Sequence, residues 1–210
     1  EYDTITKAIQ ETREEGSRLT KEIHAIQETL KQQNTQLEKE QTSYHREASR
    51  LESLRNITER YDGYGNSIRR VMEQKNREPG IKGVVADIIH VQKDYEVAIE
   101  TALGGSIQNI VTDNEQTAKR MIGFLKKNRF GRATFLPLSN ISGRGGLNQR
   151  DVLSEPGVVG TANTLVNADK EYSELVMYLL GRVLVVDNID HAIAIGKKYR
   201  HSLRMVTIEG

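Results

Sequence analysis

The five histidines of this 210-residue sequence, His24, His45, His90, His191 and His201, are the first candidates for proton transfer or metal ligation, and they are scattered. None stands at ligand spacing with a carboxylate-rich partner, so no metal centre is expected. The absence of cysteine removes thiolate nucleophiles, disulfides and cysteine-ligated zinc together, and it fits a reducing compartment. Gly196-Lys197 is followed by Lys198 rather than Ser or Thr and no glycine opens the frame, so it is not a phosphate-binding P-loop. Gly104-Gly105 and Gly143-Arg144-Gly145-Gly146 could turn backbone N–H groups toward a phosphate, but the first pair follows a helix rather than opening one, and helix termination accounts for it. Asp113 and Asp187 each stand where a strand hands over to a helix. General acid and base roles are one reading and N-capping is the other, which their position favours. No catalytic residue and no cofactor is expected.

Positive charge does cluster. One group is Lys126, Lys127, Arg129 and Arg132; a second is Lys197, Lys198, Arg200 and Arg204; a third is Arg69, Arg70, Lys75, Arg77 and Lys82. The first two fall at corresponding places near helix ends, where cations complement the helix dipole. A nucleic-acid surface is the competing reading, with Lys126, Lys127, Arg129, Arg132, Lys197 and Lys198 as the DNA-contact candidates. With no Trp and only Phe124, Phe130 and Phe135 as phenylalanines, such contacts would be to phosphates and indifferent to base sequence. The net charge of +1 offers no bulk attraction for an acidic ligand, so any binding must be local.

The elements that must carry these residues are legible between Tyr95 and Leu138. Tyr95, Ala98, Ile99, Ala102 and Leu103 have helical spacing, with Asp94 placed to cap and Gly104 to stop the helix. Ile107 to Val111 reads as a strand. Asp113 with Gln116 resembles a capping box before a helix through Ala118, Met121, Ile122 and Leu125, and Arg132 to Leu136 reads as a strand ended by Pro137. The same order returns: a helix from Tyr172 stops at Gly181, Val183 to Val186 is a strand, Asp187 opens a helix, and Leu203 to Ile208 is a strand. The tyrosine-to-glycine separation is identical in both copies, which implies an internal duplication. Before the first copy, Tyr61 to Asn66 is a turn-rich break, Ser67 is placed to cap a short helix with Ile68, Val71 and Met72, and Val84 to Val91 reads as a strand around Asp87.

Two closing strands, Ala133 to Leu136 and Met205 to Ile208, present edges that must be covered or paired. If the first half of one subunit meets the second half of another, the contact occurs twice and closes a two-fold homodimer. Gly143, Gly145, Gly146, Gly157 and Gly160, where backbones can approach closely, and Val206 and Ile208 on the last strand are the interface candidates. The glycine stretches also read simply as turns.

Residues Ile5 to Leu54 keep one heptad register, with Ile9, Gly16, Ile23, Leu30, Leu37, Tyr44 and Leu51 at a and Ile5, Thr12, Leu19, Ile26, Gln33, Glu40, Glu47 and Leu54 at d. At 1.5 Å per residue this helix runs roughly 75 Å, so it is expected to project as a coiled-coil strand whose partner is another copy or a segment beyond Gly210. The expected organisation is a coiled-coil arm over 1–60, a junction over 61–78, a first half over 79–140, a connection over 141–156 and a second half over 157–210. No apolar run reaches the roughly 18 residues of a membrane span, and the polar N-terminus is unlike a signal peptide, which leads to the expectation of a soluble intracellular protein.

The segments YEVAIETALG (95–104), GRATFLPL (131–138), LGRVLVVD (180–187) and RMVTIEG (204–210) closely resemble the hinge domain of bacterial structural maintenance of chromosomes (SMC) proteins, over about 79–210. The resemblance implies a mixed α+β and α/β hinge of two similar halves preceded by a long coiled-coil helix. It also implies homodimerisation, weak contact with DNA, and pairing of the arm with a returning segment of the same polypeptide. The family's ATP-binding motifs belong to a distant head and are absent here, so this chain is not expected to be an enzyme, while the full-length protein is expected to be a cytoplasmic, nucleoid-associated ATPase. The alternative from the residues alone is a small phosphate-ligand-binding α/β enzyme with a helical oligomerisation arm.

Overall fold

The computed structural model describes residues 1–210 apart from Arg144 and, within the first helix, the side chains of Ile57, Thr58 and Arg60. Helix α1 (Tyr2–Arg60) fills the N-terminal quarter of the chain, and the chain divides into the units Glu1–Asn56 and Ile57–Gly210. In the first unit the a and d residues, from Ile5 through Leu54, form a solvent-exposed apolar stripe. Threonine hydroxyls along it, such as those of Thr12 and Thr42, donate to the carbonyl one turn back at 2.7 and 2.8 Å.

The second unit begins with α2 (Asn66–Met72) and continues as two copies of one plan. The first has β1 (Ile81–Val84), α3 (Val85–Ile88), β2 (His90–Val91), α4 (Glu96–Leu103), β3 (Ile110–Thr112), α5 (Glu115–Asn128) and β4 (Phe135–Pro137). The second has β5 (Val158–Thr161), β6 (Val166–Asn167), α6 (Ser173–Leu180), β7 (Val183–Val186), α7 (Ile189–Lys198) and β8 (Arg204–Thr207). Each copy builds a three-stranded sheet, β1-β3-β4 and β5-β7-β8, whose central strand pairs antiparallel with the first and parallel with the last. Both antiparallel ladders carry an irregularity at a glycine, Gly83 at φ 153° and Gly160 at φ 156°, a backbone that side chains other than hydrogen rarely adopt. The copies are stitched together by the β2–β6 pair, His90 opposite Asn167 and Val91 opposite Val166.

Alternation along the central strands decides where the core lies. Because successive side chains point to opposite faces, Val183 and Val185 enter one cluster and Leu184 and Val186 another. The inner cluster joins both copies, combining Ala98, Ile99, Ala102 and Leu103 of α4 with Leu175, Val176 and Leu180 of α6. The outer faces are covered separately, in the first copy by Met121 and Leu125 of α5 with Tyr61, Ile68, Val71 and Met72, in the second by Ile195 of α7 with Val152 from a 3-10 turn over Arg150–Ser154. Sheets buried on both faces account for the unbroken apolar run Val183-Leu184-Val185-Val186.

Several local expectations are corrected. Val84 to Val91 is not one strand: the chain leaves β1 at Val84, turns through α3 and re-enters a ladder only at His90, because Ile88 and Ile89 pack in the inner core rather than alternating across a sheet. The run from Ile107 gives its first residues to a 3-10 turn over Gly104–Gln108, and the strand is Ile110–Thr112. The strand expected at Arg132 begins at Phe135 and includes Pro137, which an edge strand tolerates. The closing strand expected over Leu203 to Ile208 is Arg204–Thr207.

The caps are also one residue away from expectation. Asn114 and Asn188, not Asp113 and Asp187, are the N-caps of α5 and α7; both have extended backbone, and their side-chain oxygens accept from Gln116, Thr117 and His191 N–H groups. Asp113 instead accepts from the Asn114 N–H at 2.7 Å, and Asp187 meets His191 Nδ1 at 2.7 Å. Asp94 does not cap α4, since the 3-10 turn Lys93–Tyr95 runs straight into it. Ser67 does not cap α2 either; it lies inside the helix and donates to the Arg132 carbonyl at 2.6 Å.

Candidate functional site

The first cation group is assembled by the end of α5. Thr117, Ala118, Met121 and Leu125 turn one face of this helix into the core, so Lys126 and Lys127 lie outward in its last turn. Arg129 then takes the left-handed conformation (φ 55°, ψ 37°), its N–H reaching back toward the Leu125 and Lys126 carbonyls. Gly131 follows at φ 97°, and the Ser67 bond to the Arg132 carbonyl pins the returning segment. The result is an open cleft of about 560 Å³ lined by Ile122, Leu125, Lys126, Arg129, Gly131, Arg132 and Ala133. Lys126, Arg129 and Arg132 are therefore brought together around one concavity, and Lys127 lies next to it in sequence without lining it.

Lys197 and Lys198 are placed differently. Helix α7 has 10 residues against 14 in α5, so its cations fall one turn earlier relative to the cap. Lys198 Nζ is 2.5 Å from Glu155 Oε1, and Tyr199 donates to the same oxygen at 2.9 Å. Those two bonds hold the Glu155 carboxyl below its ordinary range, and the bond to Glu155 raises Lys198. Burial, then the Glu155 bond, pushes the Tyr199 hydroxyl up. The expected correspondence of the two patches thus holds in topology but not in chemistry: the second is partly neutralised by the connection between the halves. In the third group, Arg70 pairs with Glu73 at 3.2 Å and lies 5.0 Å from the Phe130 ring centroid, while Lys82 meets Glu171 at 3.3 Å.

The other candidate surface is formed by strand edges. β4 and β8 are outermost in their sheets. Ile208 donates to the Val186 carbonyl at 2.9 Å, so in this parallel ladder Val206 and Ile208 face β7 and Thr207 faces outward, its carbonyl accepting from the Gly210 N–H at 3.1 Å. The Val206 side chain is buried in the inner core, so what it can offer a partner is position rather than contact. On β4, Thr134 accepts from Ile110 at 2.9 Å, which leaves Phe135 directed outward, with Pro137 at the end.

The candidate glycines have partners within the chain. Gly143 donates its N–H to Glu174, and its Cα packs against Met177; the Gly145 carbonyl accepts from Arg182 at 3.4 Å; and Gly146 lies beside the Gly181 carbonyl. Arg144, between them, lies outside the described residues. Gly157, at φ 83°, has no room for a Cβ beside His191 and Asp187, and its carbonyl accepts from Asp187 N–H at 2.8 Å. Gly160 is the irregular position of β5. Among the described residues no three His, Asp or Glu side chains form a metal-holding group, and no helix is long and apolar enough to cross a membrane. The helical spacing put Ile122 on the buried face of α5, but it is exposed in the cleft, and the role of Glu155 was missed. A signal existed for both, an apolar residue one turn before Lys126 and an acid just ahead of Pro156-Gly157.

Residues 78–196 match the family model described as "SMC proteins Flexible Hinge Domain". The chromosome partition protein Smc of Lactiplantibacillus plantarum is 42% identical over 79% of this chain and 14% of its own length. That of Bacillus subtilis is 35% identical over 93% of this chain and 18% of its own length, so the chain spans less than a fifth of either relative. Among solved structures, an asymmetric dimer of the Geobacillus stearothermophilus SMC hinge domain superposes with a TM-score of 0.69 at 36% identity, covering 86% of this chain and 75% of that one. The Pyrococcus furiosus SMC hinge domain gives 0.57 at 32% identity, covering 77% and 82%.

Proposed function

Because the chain belongs to the SMC hinge family, we propose that its globular unit joins two identical subunits of a longer chromosome-organising ATPase, with strand β4 of one protomer meeting β8 of the other. The observation that carries this is the pair of outer strands, one in each copy of an internal repeat, each with backbone groups directed away from its own sheet. A contact between unlike edges repeats by two-fold symmetry and leaves neither edge open. The Geobacillus hinge was crystallised as a dimer, which supports the reading. The apolar stripe of α1 then receives the returning segment of the same polypeptide, and Gln33, Glu40 and Glu47 at d disfavour a parallel pairing of two copies. The organisation 1–60, 61–78, 79–140, 141–156 and 157–210 follows as arm, junction, first half, connection and second half. On this reading the protein works in the cytoplasm at the nucleoid. The enzyme alternative is not supported.

The chain has no cysteine, so engineered pairs report the contact cleanly. Thr134→Cys with Thr207→Cys is expected to give an oxidised dimer and each single variant none; a parent chain that sediments as a monomer at micromolar concentration would exclude this arrangement. DNA contact is assigned to Lys126, Lys127, Arg129 and Arg132, with Lys197 and Lys198 secondary. Reversing the first four to Glu is expected to remove most binding to a DNA duplex and flatten its salt dependence, whereas Lys198→Glu changes little because Lys198 already serves Glu155. Unchanged affinity in the first variant would move the site elsewhere.

A further inference from the structure

We infer that the cleft at the end of α5 docks an acidic polypeptide segment by taking one of its apolar side chains between the three cations. The floor is apolar: Leu125 is buried and Ala133 half-buried, while Ile122 is 52% exposed, a large side chain left in water at the mouth of a concavity. The rim is cationic and uncompensated. Lys126 comes from the last helical turn, Arg129 from the cap and Arg132 from the segment beyond Gly131. No acidic residue lines the cleft, and these three side chains have no hydrogen bond or ion pair among the described residues. The feature belongs to the first half alone, since α5 runs four residues longer than α7 and it is the added length that carries Leu125 and Lys126 past the point where α7 stops.

A phosphate backbone engages cations and gains nothing from an apolar floor, which it would leave wetted. A peptide that sets carboxylates on either side of a leucine-sized group satisfies both parts, burying Ile122 while its acids meet Lys126, Arg129 and Arg132. A volume of about 560 Å³ holds such a side chain together with the backbone that bears it. This inference stands apart from the DNA reading, because the rim cations serve either ligand and the floor serves only the peptide.

The test is fluorescence anisotropy on the whole 210-residue chain with a labelled acidic nonapeptide bearing one central leucine, and with its twin bearing glycine there. The leucine peptide is expected to bind at least about tenfold more tightly. Ile122→Ser removes that preference with the thermal midpoint unchanged, and Lys126→Glu with Arg132→Glu weakens both peptides. Equal affinity for the two peptides overturns the inference, as does a preference that survives Ile122→Ser. Binding of a DNA duplex with neither peptide bound also overturns it, and leaves the patch a phosphate surface only.

Discussion

In the first half of the globular unit the outer face of the sheet carries α2 beside α5, burying Ile68, Val71 and Met72 with Tyr61; in the second half one 3-10 turn, of which Val152 alone is fully buried, takes that place beside α7. Inside, the halves agree closely: a bulge glycine at Gly83 and Gly160, an asparagine cap at Asn114 and Asn188, and a helix from tyrosine to glycine over 95–104 and 172–181. The difference teaches that the shared inner core constrains both copies alike. The outer covers and helix lengths are free to diverge, and the surface chemistry diverges with them. A longer α5 yields an uncompensated cationic cleft; a shorter α7, met by the connection, yields a lysine paired to Glu155.

If the inner cluster binds the halves into one cooperative body, core truncation in either must lower the stability of both. Leu184→Ala, at a fully buried position of the second half's outer cluster, is expected to cost about 2–5 kcal/mol. Chemical denaturation followed by circular dichroism and by hydrogen exchange in the first half should shift together. Separate transitions for the two halves would break the comparison at its base.

The caps give a smaller and sharper contrast. Asn114 accepts from two backbone donors, Gln116 at 2.9 Å and Thr117 at 3.0 Å, whereas Asn188 accepts from one, His191 at 3.0 Å. Replacing Asn114 by Ala is expected to lower stability by about 1–2 kcal/mol, and Asn188→Ala by about half as much, both read from urea midpoints. Equal losses would mean that the second donor adds nothing.

These asparagines also mark how far the sequence could be read. Helical spacing located α4, α5, α6 and α7, and a short unbroken apolar run located the strand Val183–Val186, because both patterns can be read one segment at a time. The resemblance of 95–104, 131–138 and 204–210 carried the family. Which residue of Asp113-Asn114 or Asp187-Asn188 caps the helix was not legible, since both types can do it and the backbone angle decides. The run Val84 to Val91 misled because an apolar stretch without alternation fits a buried strand or a turn through the core equally. Of the candidate site, the cations were visible as clusters, but their inequality depends on Glu155, distant in sequence from Lys198. Glu155 stood in view as an acid before Pro156-Gly157, but only the fold brings it to Lys198.

The smallest expected effect is on pH dependence. The Arg120 guanidinium, bonded to Glu78 at 2.8 and 2.9 Å, holds that carboxyl below its usual 4.5. The Thr117 hydroxyl, then the Asn114 N–H, holds Asp113 below 3.8, and Lys198 with Tyr199 holds Glu155 below 4.5. Native carboxyls that bind protons less readily than those of the unfolded chain contribute stability above the ordinary values and lose it as pH falls through the lower native ones. Thermal midpoints should therefore be flat from neutrality to about pH 5 and decline below it. Glu155→Gln should make the decline shallower, and a decline beginning near neutrality would show that other groups govern it. The surface setting of these pairs keeps the effect modest.

The central claim is that like subunits join through unlike edges, β4 to β8. Sedimentation equilibrium of this chain beside its Thr207→Pro variant tests it most directly, because Thr207 directs its N–H outward from β8, its carbonyl already accepting from the Gly210 N–H, and proline removes that N–H without touching the ladder to β7. The expected result is a mass of two chains at micromolar concentration for the parent and of one chain for the variant, with unchanged circular dichroism. A parent that stays monomeric, or a dimer that the variant leaves intact, would contradict the account.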